Sequence, residues 1–450
     1  MASFLKKIFA LALVLGTFVV LPYDVHTDIR LFDIRFFTSI AVILIMASLA
    51  GDIAMLFRLP KITGYILTGV LISVLSTYKP VIENVDLLDI KSLISNKYLI
   101  NVLFGFAAVV FGSNIAVRPV KSLLTRANLR YYTFILINSG ISFFILYYVL
   151  SSVGVFSDLP ASVFVISILL ISVILSSFAG ELYFKTFKYS EEVFEADIPI
   201  PTISTDLIIL FLSALIYLAG ALFIPGTEKV TRETAYIPFL LFGLAFAAAF
   251  LLARLLKFIH DKYFDIFRNS ILIIIIVTSV TATHFDFLFY PVLFLTALIL
   301  NNYEKLGEKV YASLKPVEPL SVLTFYTLAG ILFSPDQGSY IYITAALLLA
   351  GRFFAVILNN FVNYRLKMNP FYTEDKNYLS LLPLGFLSVI LFSVYFSFGH
   401  KDRIAETFYS VLITAFIFNS FTSTFLLKAG RALFNYIEHK REKEKKAEEI

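Results

Sequence analysis

Apolar runs of about 17–25 residues follow one another along almost the whole chain, each closed by charged or turn-forming residues. That is the length a helix needs to cross roughly 30 Å of hydrocarbon. The pattern predicts about fourteen spans, near residues 4–22, 36–57, 62–78, 97–116, 130–150, 160–182, 202–224, 236–258, 269–285, 287–303, 318–334, 339–363, 378–398 and 407–428. The basic residues between them fall in alternate loops. Arg58, Lys61, Arg118, Lys121, Arg126 and Arg130 share one side with Lys185, Lys188, Arg254, Lys257, Lys262 and Arg268. Lys305, Lys309, Lys315, Arg365, Lys367 and Lys376 join them, whereas Ser151–Leu159 and Ser334–Ser339 carry no Lys or Arg. By the positive-inside rule the basic side and the C-terminal tail are cytoplasmic. The expected location is therefore the cell (inner) membrane, crossed many times.

Composition agrees with the pattern. Of 450 residues, 59% are hydrophobic and 15% charged, with a mean hydropathy of +0.84. Soluble domains carry about half apolar and a quarter charged residues. No cysteine is present, which excludes disulfides, thiol chemistry and cysteine metal sites. The net charge of +5 resides in loops and tail, so it does not signal nucleic-acid binding. The five histidines, His26, His260, His284, His400 and His439, are dispersed and suggest neither a metal site nor a catalytic triad. No cofactor is expected, and no enzyme motif appears. Three regions follow: 1–30, an N-terminal helix (retained span or signal peptide) with an external linker; 31–430, the membrane domain; and 431–450, a mixed-charge tail.

Against this background a few residues stand out. Asp206 lies in the apolar run Ile203–Phe211, and Arg352 interrupts Ala345–Phe354. Charged groups inside a bilayer line an ion path or pair with one another. Two segments long enough to span carry helix breaks, at Ser176-Ser177-Phe178-Ala179-Gly180 and at Pro383-Leu384-Gly385. A broken helix releases backbone carbonyls that a continuous one spends on itself, and proline frees one a turn back. Hydroxyls at Ser176, Ser177, Ser204 and Thr205 add hard oxygens suited to sodium or potassium. Simpler readings stand beside these. Asp206 could cap a helix after Pro199 and Pro201, Arg352 could tether two helices through a carbonyl or carboxylate, and the serines could serve close helix packing.

In this order the motifs resemble the monovalent cation:proton antiporters, in the branch of the potassium-efflux systems and prokaryotic sodium/proton exchangers. The likeness runs over residues 36–430. It rests on Phe57–Gly69, Phe111-Gly112-Ser113-Asn114-Ile115, Leu175-Ser176-Ser177, Thr205-Asp206, Leu328-Ala329-Gly330, Arg352 and Leu382-Pro383-Leu384-Gly385. The chain departs from the family at Thr205, Phe178 and Asn114, and the C-terminal nucleotide-binding domain of many relatives is not expected here.

The resemblance implies an all-α polytopic fold of 13–14 helices, built as two inverted repeats with two discontinuous crossing helices, and a homodimer in lipid. It implies exchange of Na⁺ or K⁺ for H⁺, serving pH homeostasis. Asp206 would bind proton or cation, Ser204, Thr205, Ser176 and Ser177 would add oxygens, Arg352 would be the charge partner, and Gly180, Pro383 and Gly385 would break helices. Thr205 cannot carry a second proton, which favours one-for-one exchange. The alternative is a transport-inactive membrane sensor or scaffold on an antiporter core.

Overall fold

The computed structural model describes residues 34–57, 59–77, 126–154, 161–177, 237–281, 289–315, 318–365 and 406–422. It also describes isolated helical positions between 102 and 113, and residues 209, 212 and 425. The predicted spans 4–22 and 378–398, the tail 431–450 and most of 202–224 lie outside the described residues. Every regular element described is helical. In chain order they are α1 (Ile34–Leu56), α2 (Lys61–Thr77), α3 (Arg126–Val153), α4 (Ala161–Ile174), α5 (Ile237–Lys262), α6 (Phe264–Thr281), α7 (Phe289–Asn302), α8 (Gly307–Leu314), α9 (Glu318–Ile331) and α10 (Tyr340–Arg365). A further helix, α11, covers 406–422.

Where both can be compared, the predicted spans and these helices coincide to within about five residues, except that α4 stops at Ile174 where the expected span runs to 182. α1, α3, α5 and α10 are each long and apolar enough to cross a bilayer. Large apolar side chains on them face outward, among them Leu136, Phe144 and Tyr148 of α3 and Leu251 and Leu255 of α5. The chain is an all-α, multi-pass membrane protein. Two short elements escape the span pattern: α8, and the 3₁₀ turn Pro335–Gln337 before α10. Eight residues of α8 among lysines and a glutamate make a surface helix too short to leave a hydropathy signature.

The described helices fall into two units. The first holds α1, α2, α5 to α9 and the beginning of α11; the second holds α3, α4, α10 and the rest of α11. In the first unit α2 and α9 cross backbone on backbone. A Cβ on Gly69 would run into the Thr327 carbonyl and lie 2.7 Å from Gly330 Cα; one on Gly330 would strike the Ile66 carbonyl. Only glycine at both positions permits that approach. Carbonyls at and just beyond the end of α9, where helix geometry leaves oxygens free, take backbone amides at Leu328 and Gly330 and side chains at Ala329 and Phe333. The Tyr409 hydroxyl donates to the Ala329 carbonyl at 2.6 Å, and the Ser73 hydroxyl donates to that of Phe333. Elsewhere in this unit α5 packs on α7 through Ala245, Ala249 and Val292.

In the second unit α3 lies antiparallel along α10, with α4 against α3. Phe134 and Ile135 pack with Ala355 and Val356, while Gly351 sits against Ile141 and Ile145. The core of this unit joins Tyr131, Phe134, Ile135, Val173, Ile209, Ala355 and Val356.

Candidate functional site

The site begins where α4 stops. Its 14 residues rise about 21 Å, short of the roughly 30 Å a span requires. The helix starts exposed at Ala161 and Ser162 and becomes fully buried from Leu170 onward, so its C-terminal end sits in the protein interior. The sequence places the break at Ser176-Ser177-Phe178-Ala179-Gly180; regular helix ends at Ile174 and turns through Leu175 and Ser176. Gly180 itself is outside the described residues.

A buried helix end exposes carbonyls that water cannot reach, and each one unsatisfied costs about 1–3 kcal/mol. Here their partners can be traced. The amides of Leu175, Ser176 and Ser177 fold back on the carbonyls of Ile171, Val173 and Ile174 at 2.8, 3.0 and 3.1 Å. The Ser176 hydroxyl donates to the Ser172 carbonyl at 2.9 Å. Because that bond uses the only Ser176 hydroxyl proton, the Ser139 hydroxyl of α3 is the donor in the 2.6 Å contact between the two serines.

The next carbonyls are taken by Arg352. Its Nη1 donates to the Leu175 carbonyl and its Nη2 to the Ser177 carbonyl, both at 2.9 Å. The guanidinium lies 5.3 Å from the centre of the Phe134 ring, and the residue is 3% exposed. Positive charge at a helix C-terminus meets the negative end of the helix dipole. A bidentate guanidinium over two carbonyls is therefore a good electrostatic fit for this broken end, and Gly351 lets α10 approach α3 closely enough to deliver it.

Asn138 of α3 completes the arrangement. Its Nδ2 donates to the Leu175 carbonyl at 3.2 Å, so that oxygen receives both Asn138 and Arg352. A carbonyl can only accept, which fixes the amide with nitrogen toward Leu175 and Oδ1 turned away. Asn138 Oδ1 and the Ser177 hydroxyl are both buried with no hydrogen-bond partner among the described residues. Further along the same helix pair, the Thr133 hydroxyl donates to Asn359 Oδ1 at 2.7 Å, and Asn363 Nδ2 donates to the Asn359 carbonyl at 2.8 Å. Arg352, Asn359 and Asn363 are spaced by seven and four residues, which sets them on one face of α10.

Of the residues singled out in the sequence, the structure brings together Ser176, Ser177 and Arg352. Asp206, Thr205, Ser204, Pro383 and Gly385 lie outside the described residues. Ile209, three positions after Asp206, is fully buried in the core that contains Val173, Phe134 and Ala355, and Leu212 packs against it. Sequence reasoning missed Asn138, Ser139, Thr133, Asn359 and Asn363. Each is a neutral polar group in or beside an apolar run, a signal hidden by attention to ionisable residues alone.

The first unit holds a separate charge cluster that the sequence reading also missed. Glu304, its side chain 1% exposed, lies 3.1 Å from Arg254 and 2.5 Å from Lys257 of α5. It sits in the turn between α7 and α8, where Lys305 adopts a left-handed backbone with φ 55°. No group of three or more His, Asp or Glu side chains that could hold a metal occurs among the described residues.

Comparison with known proteins gives one kind of answer. No protein-family profile and no curated protein sequence matches the chain. Solved structures do. The sodium proton antiporter MjNhaP1 from Methanocaldococcus jannaschii aligns with a TM-score of 0.55 at 16% identity, over 86% of this chain and 99% of that one. The chain thus shares the fold of that protein.

Proposed function

We propose that this protein is a secondary transporter exchanging a monovalent cation, Na⁺ or K⁺, for a proton, one for one, with Asp206 as the group that binds either. It acts in the cell membrane as a homodimer, with the C-terminus in the cytoplasm, and is not an enzyme. The observation that carries this reading is the broken end of α4, buried in the protein and capped by Arg352 from another span. A helix that stops inside a membrane and a buried arginine are both costly, and are characteristic of ion-translocating sites. The likeness of fold to a sodium proton antiporter supports the same reading, as does the buried place of Ile209, three residues after Asp206 in the sequence.

Chemically, an exchanger needs one site whose two occupants exclude each other. A carboxylate at Asp206 meets that need, because protonation removes the charge that holds the cation. Thr205, Ser204 and hydroxyls near the α4 break supply neutral oxygens. Everted vesicles from a host lacking its own antiporters test the proposal with a pH-gradient dye and additions of Na⁺, K⁺ and Li⁺. Wild-type protein should dissipate the gradient on addition of its cation, and Asp206→Asn should abolish the response while remaining folded. Exchange retained in Asp206→Asn would remove Asp206 from the mechanism. No exchange from well-expressed wild type with any ion across pH 6–9 would favour the transport-inactive sensor.

A further inference from the structure

Two aromatic rings and a buried carboxylate hold one arginine in place on the surface of the first unit. The guanidinium of Arg254, on α5, lies 5.1 Å from the centre of the Phe250 ring and 5.2 Å from that of Tyr303. Its Nη1 is 3.1 Å from Glu304 Oε1, while Glu304 Oε2 takes Lys257. Both cations still present surface, 45% and 39% of their side chains, and Tyr303 is exposed beside them. A guanidinium has five N–H donors, more than Glu304 and Tyr303 can use. Two positive charges against one carboxylate also leave one positive charge uncompensated.

The helix face that leads to this arginine has its own shape. Gly243, Ala247, Phe250 and Arg254 follow one another at spacings of four, three and four, which puts them on one face of α5. Gly243 and Ala247 are exposed, and a Cβ added at Gly243 would meet nothing within 4 Å. Leu244 and Leu251 stand exposed on one flank and Phe246 on the other. The result is a shallow apolar channel, about 16 Å long from Gly243 to Arg254, that ends on a fixed cation.

We propose that this face of α5 binds one anionic phospholipid of the leaflet that the basic loops face. Its phosphate rests on Arg254 and Lys257, and an acyl chain lies over Gly243 and Ala247 between Leu251 and Phe246. The single negative charge of a phosphodiester matches the uncompensated positive charge, and charge-assisted bonds from guanidinium to phosphate are strong. Basic pockets between membrane helices on the cytoplasmic side take anionic headgroups in this way. A zwitterionic lipid brings a cation of its own, which the surplus charge disfavours. A second copy of the chain seated here by two-fold symmetry would set Arg254 against Arg254 at the same depth. The inference is independent of whether the protein exchanges ions.

Native mass spectrometry of the full-length protein in detergent, titrated with phosphatidylglycerol or phosphatidylcholine, tests it. Wild type should bind its first phosphatidylglycerol more tightly than its first phosphatidylcholine. Arg254→Gln and Lys257→Gln should each weaken phosphatidylglycerol binding by about fivefold, the worth of one basic residue at an anionic headgroup. The double variant Gly243→Leu/Ala247→Leu fills the channel without touching a charge or the interior. It should keep the wild-type Tm in detergent and lose the phosphatidylglycerol preference, which carries the test if Arg254→Gln does not fold. Equal binding of the two lipids by wild type, or an unchanged preference in Lys257→Gln and the double variant, would overturn the proposal. Displacement of the lipid by soluble glycerol 3-phosphate would also overturn it, by showing that the channel adds nothing. So would a double variant that loses its dimer and keeps its lipid, since the face would then belong to a second copy.

Discussion

The α2–α9 crossing and the α3–α10 pair solve the same problem, two helices held close inside a membrane protein, with opposite chemistry. α2 and α9 meet through Gly69 and Gly330, backbone against backbone, with no side chain between them. α3 and α10 meet through Thr133, Asn359 and Asn363, while Asn138 of α3 and Arg352 of α10 both reach the Leu175 carbonyl; Asn138 Oδ1 is buried with no hydrogen-bond partner among the described residues. Van der Waals contact between backbones has a single good arrangement, and any addition breaks it. A polar interface has several arrangements of comparable energy, because donors and acceptors can be exchanged. The first suits a fixed joint and the second a place where groups change partners.

The sharpest way to break this comparison is at the joint. Gly330→Leu puts side-chain atoms where the Ile66 backbone already lies, and neither backbone can yield. It should cost at least about 3 kcal/mol, read as loss of the monodisperse peak or a large fall in Tm of the purified protein. Folded, wild-type-like Gly330→Leu protein would refute the crossing. Next in size is Arg352→Ala, which takes the guanidinium from the Ser177 carbonyl, leaves that of Leu175 with Asn138 alone and removes one buried charge. A net loss of about 2 kcal/mol is expected, measured by thermal unfolding, with the Gln variant falling between Ala and wild type.

Asn359→Leu should cost about 1 kcal/mol by removing one partner of Thr133 and an acceptor of Asn363. An equal loss in Thr133→Val, with no further loss in the double variant, would show that the two act as one pair. Smallest is Glu304→Gln in the first unit. Arg254 and Lys257 are 45% and 39% exposed and keep their water, so the change should cost no more than about 1 kcal/mol and shrink further in salt. A larger, salt-insensitive loss would mean that Glu304 organises the α7–α8 turn by itself.

Much of the fold was legible in the sequence because bilayer length and loop charge are strong, independent signals. The limits of α1, α2, α9 and α10 follow from apolar runs and the residues that close them. The end of α4 was visible as Ser-Ser before Gly180, and Arg352 as a charge where none is affordable. α8 was invisible because its apolar positions Val310 and Leu314 sit among lysines and a glutamate on the surface. Asn138 was overlooked for a different reason. An amide within Ile135-Leu136-Ile137-Asn138-Ser139 carries no charge to catch the eye, and its role depends on α4 arriving beside it, which no local pattern encodes. In the sequence Glu304 is one more acid beside a loop; the structure buries it against Arg254 and Lys257 next to the turn at Lys305.

The depth of Arg352 has an electrical consequence. It is the thirteenth of the 26 residues of α10, about 18–20 Å from either end of that helix, so a membrane voltage falls on both sides of it. A charge crossing the full membrane exchanges about 2.3 kcal/mol per 100 mV, and one shifted part-way exchanges the corresponding fraction. If the guanidinium moves along the bilayer normal when it leaves the α4 carbonyls, that step carries a capacitive current. An exchanger whose completed cycle transfers no net charge would still display voltage-dependent kinetics, and a fast potential jump would register Arg352 as a transient with no steady component.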